Sequence, residues 1–265
     1  MRIASIASSS SGNCIYVGTD NTHILIDAGV AARSIEDGLN NLDLSLDDID
    51  AILVTHEYSD HIKGLGVLER KRTIPVYSAS ETIEAIKNIK SLGSYDFDCF
   101  NPLNDLSSFR INDIVITPHK IYHDAANPYC YSFENNGKKG AVVTDLGHFE
   151  DELIDSLGHL DCIFAESNHD VRMLQLGPYS YALKQRILSD VGHLSNENCG
   201  KFISRLLNDD VKALMLCHLS DKNNMPELAY ESVKVEITLA DNKYEGNDFP
   251  LYVAPKNELS RVIEF

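Results

Sequence analysis

The chain has 265 residues, 43% of them hydrophobic, with 40 acidic against 23 basic side chains and a formal charge of −17. That charge repels nucleic acid over the surface as a whole, so a polyanion substrate is admissible only where bound cations or a local basic patch reverse the field. No run approaches the roughly eighteen apolar residues of a membrane span, and Met1-Arg2-Ile3-Ala4-Ser5 does not open the apolar stretch of a signal peptide, so a cytoplasmic protein without membrane contact is expected.

The six cysteines (Cys14, Cys99, Cys130, Cys162, Cys199, Cys217) have no C-x-x-C spacing and read as small buried hydrophobes. No linker, low-complexity run or repeat interrupts the alternation of short apolar strands and helical patterns. A single α/β domain over residues 1–265 is therefore expected.

Arg2 to Ile6 reads as a first strand and Cys14 to Val17 as a second. Between them Ser8-Ser9-Ser10-Ser11-Gly12-Asn13 is either a tight turn or a phosphate-contacting loop, with the turn preferred. His23 to Ile26 is a buried strand ending in Asp27, which either orients a ligand or caps a helix starting near Ala31. Ala51 to Val54 has the length and composition of a buried strand, and Ile62 to Arg70 reads as a helix. The intervening Thr55-His56-Glu57-Tyr58-Ser59-Asp60-His61 holds three metal-type ligands, His56, Asp60 and His61, within six residues. A convergent metal site is the economical reading; the alternative is a helix capped by Ser59 or Asp60.

Ile74 to Tyr77 is a further strand, followed by a helix from Glu81 to about Ile89 capped by Ser80. Residues 91–108 carry no pattern. Ile111 to Thr117 is a strand, with His119 and His123-Asp124 in the loop beyond it. Tyr129 to Phe133 and Gly140 to Thr144 form a hairpin across Asn136-Gly137, delivering Asp145 and His148 at its end. Cys162 to Ala165 ends in Glu166-Ser167-Asn168-His169-Asp170, a helix spans Tyr181 to Val191, and Gly192-His193-Leu194-Ser195 leads into another with Ser195 as N-cap. Val211 to Cys217 ends in His218, Pro226 opens a helix, and strands near Pro250 to Val253 and Arg261 to Phe265 close the chain.

Five apolar segments thus end in Asp27, His56, Asp145, Glu166 and His218. A sheet whose strand ends repeatedly carry ligand-type residues is the layout of a catalytic edge. His23 and His159 lack such neighbourhoods and read as ordinary.

Thr-His-x-x-x-Asp-His after a strand, with Asp27 before it and His123, Asp145 and His218 after it, resembles the metallo-β-lactamase fold superfamily. More narrowly, Ser-Gly-Asn-Cys near the start, His-Ile-Lys-Gly after the cluster, Glu166-Ser-Asn-His-Asp, Gly192-His-Leu-Ser-Asn and His218-Leu-Ser-Asp-Lys-Asn-Asn resemble the YycJ/WalJ group of bacterial exonuclease-like proteins. The resemblance implies a four-layer αββα sandwich, a binuclear metal site and DNA cleaved from an end, 5′ to 3′. His56 and His123 would hold the first ion, Asp60, His61 and His218 the second, and Asp145 would bridge them. Asp27, Glu166, Asn168 and His169 read as supports for these ligands and Asp60 as acting on the metal-bound nucleophile, while His193, an imidazole at a helix start, reads as a proton donor or a phosphate contact, the alternative being a hydrogen-bonded loop histidine. Zinc, manganese and iron all suit mixed nitrogen and oxygen donors.

One position departs from the His-x-His-x-Asp-His pattern: Tyr58 replaces the middle histidine, and a phenol is a poorer ligand than imidazole at neutral pH. His148, three residues after Asp145, is a candidate to compensate. Two other functions share this ligand set, a hydrolase of a small thioester or lactone and a non-catalytic binding protein with a degraded first site.

Overall fold

Runs of strands over residues 2–26 and 109–143 are joined directly, and the parallel pairs take helices as crossovers. The computed structural model describes residues 1–265, which fall into two units. One comprises Met1–Lys120, Ala125–Tyr129 and Pro255–Glu264, the other Ile121–Asp124, Cys130–Ala254 and Phe265.

In the first unit β1 (Arg2–Ala7), β2 (Cys14–Gly18) and β3 (His23–Ile26) form an antiparallel meander. The sheet continues in parallel through β4 (Ala51–Leu53), β5 (Val76–Ala79) and β6 (Phe100–Leu103). The carboxy-terminal strand Ile263–Glu264 pairs antiparallel with the outer side of β1. Helix α1 (Ala32–Asn40) crosses from β3 to β4, α2 (Ser59–Ile62) and α3 (Leu65–Lys71) from β4 to β5, and α4 (Ser80–Lys87) from β5 to β6. Leu25, Ile52 and Val76 share one buried cluster with Ile35, Leu39, Leu65 and Leu68 of the helices. A hairpin of β7 (Phe109–Ile111) and β8 (Ile114–Lys120) turns at Asn112, and Asp113 in that turn accepts hydrogen bonds from the hydroxyls of Thr19 and Thr22.

In the second unit five strands run in the order β13 (Leu251–Val253), β12 (Ala213–Cys217), β11 (Cys162–Glu166), β10 (Lys138–Val143), β9 (Tyr129–Asn135). Only β9 and β10 are antiparallel, and Asn136 and Gly137 join them with φ of 51° and 75°, as an Asn-Gly hairpin turn requires. The helices are α5 (Asp151–Leu157), α6 (Val171–Leu176), α7 (Tyr181–Ile187), α8 (Asn196–Leu206) and α9 (Pro226–Leu239). Phe202 and Ile203 of α8 and Val233 and Ile237 of α9 share a core with Leu214 and Leu216 of β12. Gly200 permits that packing, because a Cβ there would stand 2.5 Å from Cβ of Glu236.

Several boundaries differ from the sequence reading. The helix read from Ile62 to Arg70 is two pieces broken at Lys63-Gly64, where the Gly64 amide donates to the Ala28 carbonyl. Ser80 lies inside α4, whose N-cap is Ala79, and the Ser80 hydroxyl bonds Asn104 instead. His119 belongs to β8 rather than to a loop. The patternless stretch 91–108 hides β6, an edge strand in which Pro102 is tolerated because one side needs no partner. Helix α7 stops at Ile187, four residues short, where the chain turns back as the Gly192 amide bonds the Ser189 carbonyl.

All six cysteines are buried and none is in a disulfide. Burial drives the thiols of Cys14, Cys130, Cys162 and Cys199 far above their ordinary range and that of Cys99 up to about 12. No helix is long and apolar enough to cross a membrane.

Candidate metal centre

Parallel strands bring their carboxyl ends to one edge of a sheet. In the first unit Ile26 of β3 pairs with Leu53 of β4, so Asp27 and the Thr55-His56 segment leave side by side. Asp27 turns there with φ of 63°. Its Oδ2 accepts a 2.7 Å hydrogen bond from Nδ1 of His61, and its Oδ1 accepts one of 2.8 Å from the Thr55 amide. The Thr55 hydroxyl donates to Oδ2 of Asp27 at 2.9 Å, which leaves its oxygen to accept from Nδ1 of His56 at 3.0 Å. Both imidazoles therefore carry their proton on Nδ1 and present the Nε2 lone pair for coordination.

Asp27 does not cap α1, whose N-cap Ala31 makes no side-chain bond. Neither Ser59 nor Asp60 caps α2; its N-cap is Tyr58, again without a side-chain bond. Asp60 instead places Oδ2 3.5 Å from Nε2 of His61. The half-buried Tyr58 ring meets the His56 ring edge-on, centroids 5.0 Å apart.

The serine run is a turn, closed by the Gly12 amide on the Ser9 carbonyl. Its end supports the ligand segment: the Asn13 amide donates to the Asp60 carbonyl at 2.8 Å, and the Gly29 amide donates to the Asn13 carbonyl at 2.7 Å. Gly29 is obligatory, because a Cβ there would lie 1.7 Å from the Asp60 carbonyl oxygen. Asn13 and Gly29 were missed as supporting residues from the sequence, where they look like turn formers.

In the second unit the same device recurs across β10, β11 and β12. Val143 pairs with Ala165 and Glu166 with Cys217, so Asp145, Glu166 and His218 emerge together. Glu166 is wholly buried, and each of its oxygens takes two donors. Oε1 accepts from Nδ1 of His193 at 2.7 Å and from Nδ1 of His218 at 3.0 Å; Oε2 accepts from the amides of Leu146 at 2.9 Å and Leu194 at 3.3 Å. Nε2 of His218 lies 3.5 Å from Oδ1 of Asp145. Nδ1 of His123 donates to the Gly192 carbonyl at 3.1 Å, leaving Nε2 3.8 Å from the same Asp145 oxygen.

These contacts set the protonation states. Burial alone would lower His193, but the Glu166 carboxylate, helped by Asp145, overcomes it and raises His193 above the ordinary histidine range. Burial would likewise raise Glu166, yet His193 and His218 hold it well below the usual carboxylate range. His123 and His169 are lowered by burial, His169 to about 4, so both are neutral imidazoles near pH 7. Nδ1 of His169 meets Oδ1 of Asn168 at 3.3 Å, and Nδ2 of Asn168 donates to the His218 carbonyl at 3.1 Å.

Ser167, Asn196 and Asn224 continue this polar layer, with the Ser167 hydroxyl on Asn196 at 2.7 Å and the Asn224 amide on the Ser167 carbonyl at 2.9 Å. In the sequence these residues stand within the quoted motifs, with nothing local to mark them as one layer.

His148 is held elsewhere. Its Nδ1 meets the Asp190 carbonyl at 3.2 Å, its Nε2 lies 3.5 Å from Oε1 of Glu150, and its ring packs on Tyr122 at 4.1 Å. The loop turns it away from the compensating role suggested by its nearness to Asp145 in sequence.

The donors of Asp145, Glu166, His193 and His218 lie within 4.8 Å of one another. Within and beside this cluster Nε2 of His218 and Nε2 of His123 face the same oxygen of the buried Asp145 while their Nδ1 atoms are tied to Glu166 and to the Gly192 carbonyl, the donor set of a divalent cation, so these three residues fit a metal and Glu166 and His193 stand behind them. Of the six non-glycine residues with positive φ, three are Asp27, Asp145 and His218; Asp43, Asn112 and Asn136 make up the rest. The left-handed conformation costs a side-chain-bearing residue free energy, and its concentration here shows the backbone bent to aim ligands.

A family model described as the beta-lactamase superfamily domain matches residues 22–219. The chain belongs to that superfamily. It is 42% identical over 228 residues to a Bacillus anthracis protein named exodeoxyribonuclease YycJ, covering 86% of each chain. It is 38% identical over 247 residues to Streptococcus pneumoniae exodeoxyribonuclease WalJ, covering 93% of this chain and 91% of that one. Among solved structures, the metallo-beta-lactamase fold protein YhfI from Bacillus subtilis matches with a TM-score of 0.71 at 14% identity, over 98% of both chains. The resemblance read from the motifs is thus the chain's family, and its two mixed sheets with their helices are the α/β sandwich of the metallo-β-lactamase fold.

Proposed function

We propose that this protein is a metal-dependent phosphodiesterase, a DNA exonuclease that cleaves 5′ to 3′ in the cytoplasm, and that its two units work as one catalytic domain. The observation that carries the reading is a set of buried imidazoles with Nδ1 tied to acceptors, in a chain 42% identical to an exodeoxyribonuclease. By the family pattern two divalent ions, zinc, manganese or iron, would be held, the first by His56 and His123, the second by Asp60, His61 and His218, with Asp145 shared. Bound there, such ions supply Lewis-acid charge for the attacking and leaving oxygens and make water acidic enough to act near neutral pH.

The chain's own residues supply the rest. The Asp60 carboxylate accepts the proton of the attacking water. His193, kept protonated by Glu166, donates one from Nε2 to the leaving oxygen, so that water and a phosphodiester become a phosphomonoester and an alcohol. Asp27 and Glu166 hold His61 and His218 against rotation.

Elemental analysis of the purified protein, followed by labelled single- and double-stranded DNA with and without added divalent ion, tests this. Mononucleotide release that requires metal and vanishes in Asp60→Ala is expected. Hydrolysis of a thioester or lactone without loss of DNA would overturn it.

A further inference from the structure

With 40 acidic side chains in 265 residues, an acid falls about every seven positions, yet residues 171–189 contain none and carry Arg172, Lys184 and Arg186. In a chain of charge −17 this is a nineteen-residue stretch with cations and no acid of its own, bounded by Asp170 and Asp190. It comprises α6, the turn Gly177-Pro178-Tyr179-Ser180, and α7 with the two residues after it. Only Leu174 and Ile187 within it are buried. Leu176 and Tyr181 are 89% and 78% exposed, the two most exposed large hydrophobic side chains of the molecule.

An excursion with so little core is fixed by its ends, and both ends belong to residues described above. Asp170 caps α6 by accepting from the Met173 amide at 2.7 Å, while its own amide donates to the Asn223 carbonyl at 2.9 Å. At the other end the His193 amide donates to the Ile187 carbonyl at 3.0 Å. Arg186 grips Asp124, the neighbour of His123, with a two-pronged hydrogen bond of 2.5 and 2.7 Å. Arg186 is thereby neutralised, whereas Arg172 is exposed and Lys184, one of whose protons goes to the Gln175 carbonyl, has further donors to offer.

We infer that the α6–α7 excursion is the surface on which the single-stranded end of a DNA substrate lies, with Arg172 and Lys184 meeting phosphates and Tyr181 stacking on a base. Cations interleaved with an exposed aromatic are what an unpaired strand needs: charge for its backbone and a flat face for bases of any sequence. Elsewhere an acidic protein repels that strand, so a patch flanked by Glu166–His169 and His193 decides which part of it approaches. The inference rests on the nuclease reading above.

The test uses the metal-loaded full chain and two variants, Arg172→Glu/Lys184→Glu and Tyr181→Ser. Three readouts are taken: KM and its salt dependence on a labelled single-stranded 20-mer, binding of a phosphorothioate version of that strand, and turnover of bis(p-nitrophenyl) phosphate, a diester with no strand to lie on the excursion. The charge variant should raise KM on DNA about tenfold or more and flatten the logarithmic salt slope by about 1.4, the value for two lost contacts to a single strand. Tyr181→Ser should raise KM without changing the salt slope, and both variants should turn over the small diester at the parent rate. Parent-like KM and salt slope on DNA in both variants would overturn this inference and leave the nuclease reading standing. Failure of the parent protein to bind or cut DNA would overturn both.

Discussion

Asp27 and His61 stand 34 residues apart in the chain, yet Oδ2 of the one accepts a 2.7 Å hydrogen bond from Nδ1 of the other inside a buried site. The carboxylate fixes the tautomer and the ring plane of His61. Asp27→Asn keeps the shape and the tolerance for positive φ while removing the charge, so the fold should survive and metal affinity should drop about 10- to 100-fold. Metal titration of the apo-protein, with a thermal melt beside it, checks both halves. Unchanged affinity would mean that the Asp27 charge has no part in holding His61.

Glu166 plays the corresponding part for two histidines at once, and its loss should show in a pH profile. His193 is raised because Glu166 opposes the effect of burial, so in Glu166→Gln it loses its proton at a lower pH than in the parent. If His193 is the proton donor, the alkaline limb of kcat/KM on a small phosphodiester should move to lower pH, with a rate loss of about a hundredfold. A variant with an unmoved alkaline limb would remove His193 from that role.

The placement of His148 against Tyr122, Glu150 and Asp190 leads to a simple expectation. His148→Ala should retain the parent's metal content per chain by elemental analysis. Tyr58→His, which restores the family pattern beside His56, should tighten binding of the ion that His56 would hold. Loss of one metal equivalent in His148→Ala would restore it to the ligand set.

Glu69 offers a test far from this chemistry. Burial raises its carboxyl to about 7, against an unfolded value near 4.5, although the Ile74 amide at 3.1 Å opposes the shift. Between those values the folded chain binds more protons than the unfolded one, so Glu69's contribution to stability is complete below about 4.5 and is lost as pH rises through about 7. Glu69→Gln should therefore match the parent in melting temperature near pH 4.5 and exceed it near pH 8. An equal difference at both pH values would show that Glu69 does not titrate in this way.

Much of the ligand-bearing edge was legible because parallel strands are buried on both faces and read as apolar runs, which makes a polar residue at their end conspicuous. That contrast exposed Asp27, His56, Asp145, Glu166 and His218. It could not expose Asn13 or Gly29, whose roles depend on the Asp60 carbonyl reached only after folding. Nor could it orient His148, since three positions of loop do not fix a side chain's direction. The positive φ of Asp27, Asp145 and His218 was equally silent, because no local turn pattern demands it. The two units left no trace in composition, since the chain passes from one to the other at residues 120, 124, 129, 254 and 264 without a linker.

The buried thiols make the protein a clock for its own opening. Because every cysteine is shielded, a thiol reagent added to the native chain can react only when some part of it comes apart, and the rate of labelling reads that motion instead of surface reactivity. Cys14 and Cys99 lie in one unit, Cys130, Cys162, Cys199 and Cys217 in the other. The order in which mass spectrometry finds them modified therefore ranks the two units by how readily each breathes, with no probe introduced and no residue changed.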